Sequence, residues 1–299
     1  MNHRRIMLIE LVFCLSLTAN AQLSGPGGLV FDSSGNLWVA NWGPNQVLEL
    51  NPKTGVILNT ITDGVNGPSR LQLVGVDLWV LNTTGNNITV YTDLGSPGAK
   101  LVQTISTGSE IEFSLGAAVD AYGDLYISGV NSHNIVAYNI DGGLVETLVT
   151  DKQKFSYYAP GVMVIYGQDI YVGFGPNVGE NAVIAYNVGE FLTGDPEEKA
   201  LYNNNVDTGP TGIAFDSKGN IYIAEYTSNT AIVYSPDGEG LLEINPGGPG
   251  GATQLVNGPE GIAVDSRGHI YVSNSNNNDI AVFEGLNGKR PGKLLYNLY

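Results

Sequence analysis

Two glutamates, Glu225 and Glu260, and two histidines, His133 and His269, are the side chains whose types invite chemistry. Brought together, two carboxylates can split their pKa values and work as an acid/base pair, or hold a divalent cation. No third ligand stands near either glutamate in the sequence, and the preferred reading is two solvated carboxylates on an acidic surface. The histidines occupy different positions of the repeat described below. His269 replaces a turn asparagine (compare Asn36 and Asn220), and His133 precedes a strand, so a shared zinc is not expected. Other chemistries fail on residue type. The glycine-rich NPGGPGGATQ at 245–254 lacks the Lys-Ser/Thr of a phosphate loop and reads as a turn between repeats. No Gly-x-Ser-x-Gly elbow occurs, and the one cysteine, Cys14, lies in the leader.

That leader, residues 1–21, has arginines at 4 and 5, an apolar run from Ile6 to Thr18 and Ala19-Asn20-Ala21, the three-part pattern of a secretory signal peptide. Cleavage is expected before Gln22, giving a secreted or periplasmic protein. The run is shorter than the roughly 20 apolar residues that span a bilayer, so membrane insertion is not expected. The formal net charge is −16, and removal of the leader makes it one unit more negative. With no Lys/Arg cluster to offset it, such a surface repels phosphate backbones, which excludes nucleic acid as a partner. A cysteine-free mature chain must hold itself together by its core, and a length near 300 residues allows that. Two glycosylation sequons, Asn82-Thr83-Thr84 and Asn87-Ile88-Thr89, would matter only in a secretory pathway that glycosylates.

The elements that position these residues are repeated. GPTGIAFDSKGNIYIAEY at 209–226 returns as GPEGIAVDSRGHIYVSNS at 258–275. Aligned on a glycine and the aromatic ten residues later, five copies appear: Gly28–Trp38, Gly116–Tyr126, Gly161–Tyr171, Gly212–Tyr222 and Gly261–Tyr271. A sixth, Arg70–Trp79, is one residue shorter. The aromatics are separated by 41, 47, 45, 51 and 49 residues. Periods of roughly 40–50 residues with several strands each are the mark of propeller blades, and no 3.6-residue apolar period competes. Each copy yields four alternating strands, as in GIAFD, NIYIAEY, AIVYS and LLEIN of the fifth. The expectation is an all-β, single-domain, six-bladed β-propeller of four-stranded antiparallel blades over residues 22–299. Each blade comes from one repeat, so the ring closes by packing of the first blade on the last. GEFLTGDPEEK at 189–199 is expected as a loop before a fourth strand.

Asp-x-x-Gly recurs between first and second strands, at Asp32, Asp120, Asp216 and Asp265. An aspartate accepts from a backbone N–H two residues on, and glycine turns left-handed without steric cost, so these are hairpin turns rather than calcium loops. Two residues after the alignment glycine, Ala118, Ala214 and Ala263 suit an inner strand crowded at the axis. Gln72 and Met163 break that rule and are expected to reach the channel.

GPTGIAFDSKGNIYIAEYTSNTAIVYSPDG and GPEGIAVDSRGHIYVSNSNNNDIAVFE resemble the NHL repeat, as does GPGGLVFDSSGNLWVANWGPNQVLELNPKTG. The resemblance extends over the mature chain and implies a six-bladed propeller. NHL-type propellers include protein-binding scaffolds, RNA-binding modules, sensor domains and lyases, so the likeness speaks for fold more than activity. Streptogramin-type lyases are similar. They place a glutamate after the second strand, matching Glu225, work with magnesium, and use histidines where this chain has Thr211 and Glu260. A gluconolactonase-like propeller would bind calcium, for which Glu225, Asn274 and Asn41 supply part of a ligand set. Amidating lyases of related fold need several zinc-binding histidines.

Propeller ligands use one mouth of the channel, lined by loops before the first strand and after the second. The first set is Gly27, Ser69, Leu115, Pro160, Thr211 and Glu260. The second, taken three residues after each aromatic, is Asn41, Asn82, Gly129, Phe174, Glu225 and Asn274, with Trp42, Arg70 and Tyr226 nearby. Amides, aromatics and a few charges suit a small polar ligand, a carbohydrate or a protein loop. The reading is a monomeric binding module without a cofactor. The alternative is a magnesium- or calcium-dependent lyase or lactonase using Glu225 and Glu260.

Overall fold

A computed structural model describes residues 23–95, 98–109, 111–138, 144–146, 159–175, 182–191, 198–202, 209–244 and 255–299. The leader and the glycine-rich stretch at 245–254 lie outside the described residues. Within them, 24 strands form six four-stranded antiparallel sheets, each built from strands consecutive in sequence. The repeats therefore fold as complete blades, and the chain is a six-bladed β-propeller. Among the described residues, no helix is long and apolar enough to cross a membrane.

The innermost strands are Pro26–Phe31, Pro68–Val74, Ser114–Val119, Pro160–Tyr166, Pro210–Phe215 and Pro259–Val264. They crowd one another at the axis. A Cβ on Gly116 would lie 2.1 Å from the carbonyl oxygen of Gly161, and one on Gly261 would lie 2.4 Å from that of Gly27. Gly28 and Gly212 are also too tight for a Cβ, which would lie 2.8 Å from Arg70 Cα and 2.9 Å from Ile262 N. The glycine of the repeat is thus fixed by the backbone of the next blade, a closer constraint than the small residues two places on.

Farther out, the blades diverge, and the repeat aromatics fill the widening wedge. Six hydrophobic clusters are found, one at each junction between neighbouring blades. Trp38, Trp79, Tyr126, Tyr222 and Tyr271 each belong to the cluster facing the following blade, and Tyr171 packs against the corresponding one. Tyr271 meets Phe31 of blade 1 edge-on, with ring centroids 5.0 Å apart, so the last blade fills the first junction as the others fill theirs. Ring closure adds side-chain bonds. Ser273 Oγ donates to Gly27 O at 2.7 Å, and Gly25 N donates to Asn278 Oδ1 at 2.8 Å. Among the described residues, no strand is shared across this junction.

The aspartate turns have the expected geometry and one further contact. Asp216 Oδ1 accepts from the backbone N–H groups of Lys218 and Asn220, while Oδ2 accepts from Tyr222 OH at 3.1 Å. Asp32 holds Trp38 Nε1 and Asp120 holds Tyr126 OH in the same way, so the turn also fixes the wedge aromatic six residues on. In blade 6, Arg267 and His269 take Asp265 Oδ2, and Tyr271 turns instead to Tyr296 OH at 3.2 Å.

Three sequence expectations are corrected. Blade 4 turns between its first two strands through Gly167 and Gln168 alone, pairing Tyr166 with Asp169. That is the short hairpin already seen at Val74 and Asp77 of blade 2. In register, Val162 rather than Gly161 therefore matches the alignment glycine. Gln72 and Met163 border the narrow channel, but neither projects freely. Gln72 Oε1 accepts from Val119 N at 3.1 Å, and Met163 packs between blades 3 and 4. Of the stretch 189–199, Val188–Phe191 begins as a short helical turn and Glu198–Tyr202 is already the fourth strand.

Two outcomes follow from this packing. Gly261→Ala should destabilise the fold by about 1–3 kcal/mol through overpacking at the closing junction. Gly240→Ala, where a Cβ meets nothing within 4 Å, should be close to neutral, with denaturant unfolding as the measurement. The carboxyls of Asp216 and Asp265 sit below their ordinary value: burial pushes them up, but hydrogen bonds from Asn220 and Lys218, and from His269 and Arg267, outweigh it. A folded pKa below the unfolded one contributes stability that is present above the ordinary value near 3.8 and lost as pH falls through the folded value. Thermal melts should therefore weaken progressively below that pH, and Asp216→Ala should lower stability at neutral pH by about 1–3 kcal/mol.

Candidate functional site

One end of the channel opens into a cavity of about 500 Å³. Its wall is built from the two places where each blade turns toward the axis. Before or at the start of the first strands stand Gly27, Ser69, Leu115, Gly161, Thr211 and Glu260, one from each blade. After the second strands stand Trp42, Val130, Gly175, Tyr226 and Ser275. Below, a narrower space of about 70 Å³ continues between the inner strands. Arg70, Val162, Thr211 and Glu260 line both spaces and form the collar between them.

The first loop set lies where the sequence places it, with Gly161 in the position expected of Pro160. The second lies one residue too early. Strand side chains alternate between faces, so a shift of one residue exchanges wall for core. Asn41, Asn82 and Asn274 are fully buried. Their Oδ1 atoms accept from Ser24 N, Asn66 N and Asn257 N at 2.8, 3.0 and 3.1 Å, holding the segment that leads into each blade. Asn82 Nδ2 is committed to Asn87 and Thr89, so that sequon is closed in the folded chain. Phe174 is 1% exposed and belongs to the core between blades 3 and 4. Glu225 is buried, and its Oε2 accepts from Thr230 Oγ1 at 3.0 Å and Ser228 Oγ at 3.2 Å. None of these five residues lines the cavity, whereas Trp42, Arg70, Tyr226 and Glu260 do.

The structure does not pair Glu225 with Glu260. The first turns toward its own hairpin; the second faces Arg70, with Arg70 Nη2 3.8 Å from Glu260 Oε2. A guanidinium beside the one carboxylate that lines the mouth among the described residues disfavours a divalent cation there. Among the described residues, no group of three or more His, Cys, Asp or Glu side chains converges to hold one. The described residues of the mouth do not fit magnesium or calcium. His269 is bound to Asp265 at the hairpin, and His133 holds the left-handed turn position, φ 52°, that Asn45, Asn86, Asn229 and Asn278 hold in other blades.

These asparagines are a feature that the sequence reading missed. Asn45 Oδ1 accepts from Gly67 N, and Asn229 Oδ1 from Gly258 N, both at 2.6 Å and both across a blade junction. Asparagine tolerates the left-handed conformation, and its spacing four residues after Asn41 and Glu225 was a readable signal. Phe113 was also missed. It holds φ 56° and is 47% exposed at the rim, beside the register shift between Ser128 and Gly129. A bulky residue in that region is backbone strain that its surroundings must maintain.

Two properties define the mouth. Trp42, Phe113 and Tyr226, from blades 1, 3 and 5, present half-exposed aromatic surface from alternate blades. Beneath them the collar carries the Arg70–Glu260 pair, reaching across blade 1 from its two neighbours. Arg70 donates through Nη1 to Ser69 O at 2.8 Å, and its buried Nε has no hydrogen-bond partner. Burial raises the Glu260 carboxyl above its ordinary value, against the opposing pull of Arg70. Burial likewise lowers the Arg70 guanidinium.

Comparison with known proteins agrees with the architecture. Residues 256–283 match the family model of the NHL repeat. Virginiamycin B lyase from Staphylococcus aureus, solved in a catalytically inactive form with quinupristin, superposes with a TM-score of 0.62 at 17% identity. The match covers 91% of this chain and 86% of that one. A streptogramin B lyase superposes with a TM-score of 0.60 at 18% identity, over 89% of this chain and 82% of that one. At such identities the likeness is one of fold. No curated protein sequence matches the chain. The class so defined is a six-bladed β-propeller with an NHL repeat in its last blade.

The mouth has a built-in reporter. Trp38 and Trp79 are buried at 0% and 6% exposure, while Trp42 is 38% exposed. Trp42→Phe should therefore remove most of the acrylamide-quenchable tryptophan emission and leave the buried component nearly unchanged.

Proposed function

We propose that this protein is a binding module that holds a small ligand with a flat apolar or aromatic body in the mouth of its channel. The observation that carries this reading is the 500 Å³ cavity with aromatics on alternate blades above, among the described residues, one charged pair. Pockets of roughly 300–1,000 Å³ with a mainly apolar wall and few polar groups suit drug-sized molecules. Carbohydrate is less well served, because the amides of Asn41, Asn82 and Asn274 serve the backbone. The leader-like residues 1–21 support export, so the ligand would be met outside the cytoplasm.

A lyase reading draws on the fold shared with the streptogramin B lyases. Against it stand the residues of this mouth. Thr211 and Glu260 occupy the places where the resemblance implies histidines, and among the described residues no histidine lines the cavity.

The neutral fluorophore N-phenyl-1-naphthylamine tests the binding reading. It should bind saturably at one site and quench Trp42 emission. Trp42→Ala and Tyr226→Ala should each weaken binding about two- to tenfold, the range of one aromatic contact. Absence of saturable binding, or affinity indifferent to both substitutions, would overturn the reading.

A further inference from the structure

The charged collar has no assigned role, and its asymmetry points to a ligand. Arg70 and Glu260 are 3.8 Å apart, too far for a hydrogen bond, so they neutralise each other without satisfying each other's donors and acceptors. Nη1 of Arg70 is spent on Ser69 O, but Nε is buried and unpaired, an arrangement that costs free energy until an acceptor arrives. The partners also differ in freedom. The Arg70 side chain is 12% exposed and fixed in the wall, whereas that of Glu260 is 30% exposed. If the pair opens, Glu260 can turn toward water and Arg70 cannot. The charge left needing a partner is then positive.

Three other polar side chains of the collar and wall do not compete for that role. Ser69 Oγ bonds to Leu81 O, Thr211 Oγ1 to Pro259 O, and Ser275 Oγ to Gly258 O. Their hydroxyl protons are committed to backbone carbonyls.

We infer that the mouth takes a small monocarboxylate with an apolar body, its carboxylate lying on the Arg70 guanidinium in the place held by Glu260 in the free protein. This rests on the binding reading above and names the polar end of the same ligand. A guanidinium fork matches a carboxylate with two parallel donors, and Nε supplies one of them. The apolar body then extends upward between Trp42, Phe113 and Tyr226. Glu260 acts as an internal competitor that keeps Arg70 neutralised until the ligand arrives.

Two carboxylates and one guanidinium in a confined collar carry a net negative charge, which is relieved when Glu260 takes a proton from solvent. Binding should therefore tighten as pH falls. Among the described cavity-lining residues the other titratable group is Tyr226. The strands packed against that of Glu260 are the inner strands of blades 1 and 5 and the second strands of blades 5 and 6. The two inner strands carry no titratable side chain. The second strands carry Tyr222, tied to Asp216; Glu225, tied to Thr230; and Tyr271, tied to Tyr296.

The test compares 2-naphthoate, 2-naphthamide and 2-naphthylmethylammonium, which share one body and differ in charge, by titration of Trp42 emission and by calorimetry. In the wild type, 2-naphthoate should bind about tenfold or more tighter than the amide, as expected of a charge-assisted contact, with the ammonium weakest. Its affinity should rise from about pH 8 to about pH 5.5, where the probe stays ionised, and binding should take up a proton. Glu260→Gln should strengthen 2-naphthoate binding severalfold and flatten its pH dependence, a gain that misfolding cannot mimic. Arg70→Met should abolish the preference for 2-naphthoate over the amide. Equal binding of all three probes, or weaker 2-naphthoate binding in Glu260→Gln, would overturn the inference while leaving the apolar mouth in place. Failure of the neutral N-phenyl-1-naphthylamine as well would remove the mouth itself.

Discussion

Everything in this molecule follows from six backbones converging on one axis. Where Gly116 passes Gly161, and Gly261 passes Gly27, there is no room for a single carbon beyond the main chain. That contact sets the radius of the channel and the angle at which the blades splay. The splay creates wedges that only large side chains fill, which is why an aromatic stands at the same place in each repeat. The aspartate turn then holds that aromatic by its polar edge in blades 1, 3 and 5. One steric limit at the centre thus propagates outward through packing to a hairpin on the surface.

Much of this was legible because it repeats. The glycine-to-aromatic spacing located all six blades, and period-two alternation gave each its four strands. The departures occurred where one copy differs locally from the others. Blade 4 turns through Gly167-Gln168, so aligning Gly161 with Gly28 shifted its inner strand by one residue. The same arithmetic governed the site. Asn41 and Trp42 are neighbours in sequence, yet one is sealed behind the wall and the other stands in the mouth. Spacing counted from the aromatic reached the loop but not its face, because alternation carries on to the strand end. Phe113 had no comparable signal, since its left-handed backbone belongs to blade 3 alone among the rim aromatics.

The propeller is regular and its mouth is not. Among the described residues, aromatics occupy blades 1, 3 and 5, whereas the charges come from blades 2 and 6, flanking blade 1. A ligand in such a space meets a polar side and an apolar side, and so has a preferred orientation. The glycines of blade 1 contribute to this. Gly27 and Gly28 let the backbone of blade 1 lie directly against Ser69 and Arg70 of blade 2, and Arg70 and Glu260 approach each other across blade 1. A buried ion pair is rarely a net source of stability, so its presence at the narrowest polar point is a cost that recognition can repay.

Each sheet is completed by strands from its own repeat, and blades 6 and 1 meet through side chains such as Ser273, Tyr271 and Asn278. The seam is therefore chemically like the other five junctions, although no peptide bond crosses it. A chain opened between any two blades and rejoined near Leu23 and Tyr299 would keep every ladder of hydrogen bonds intact. For this architecture, the order in which the blades are written is a matter of genetics rather than of mechanics.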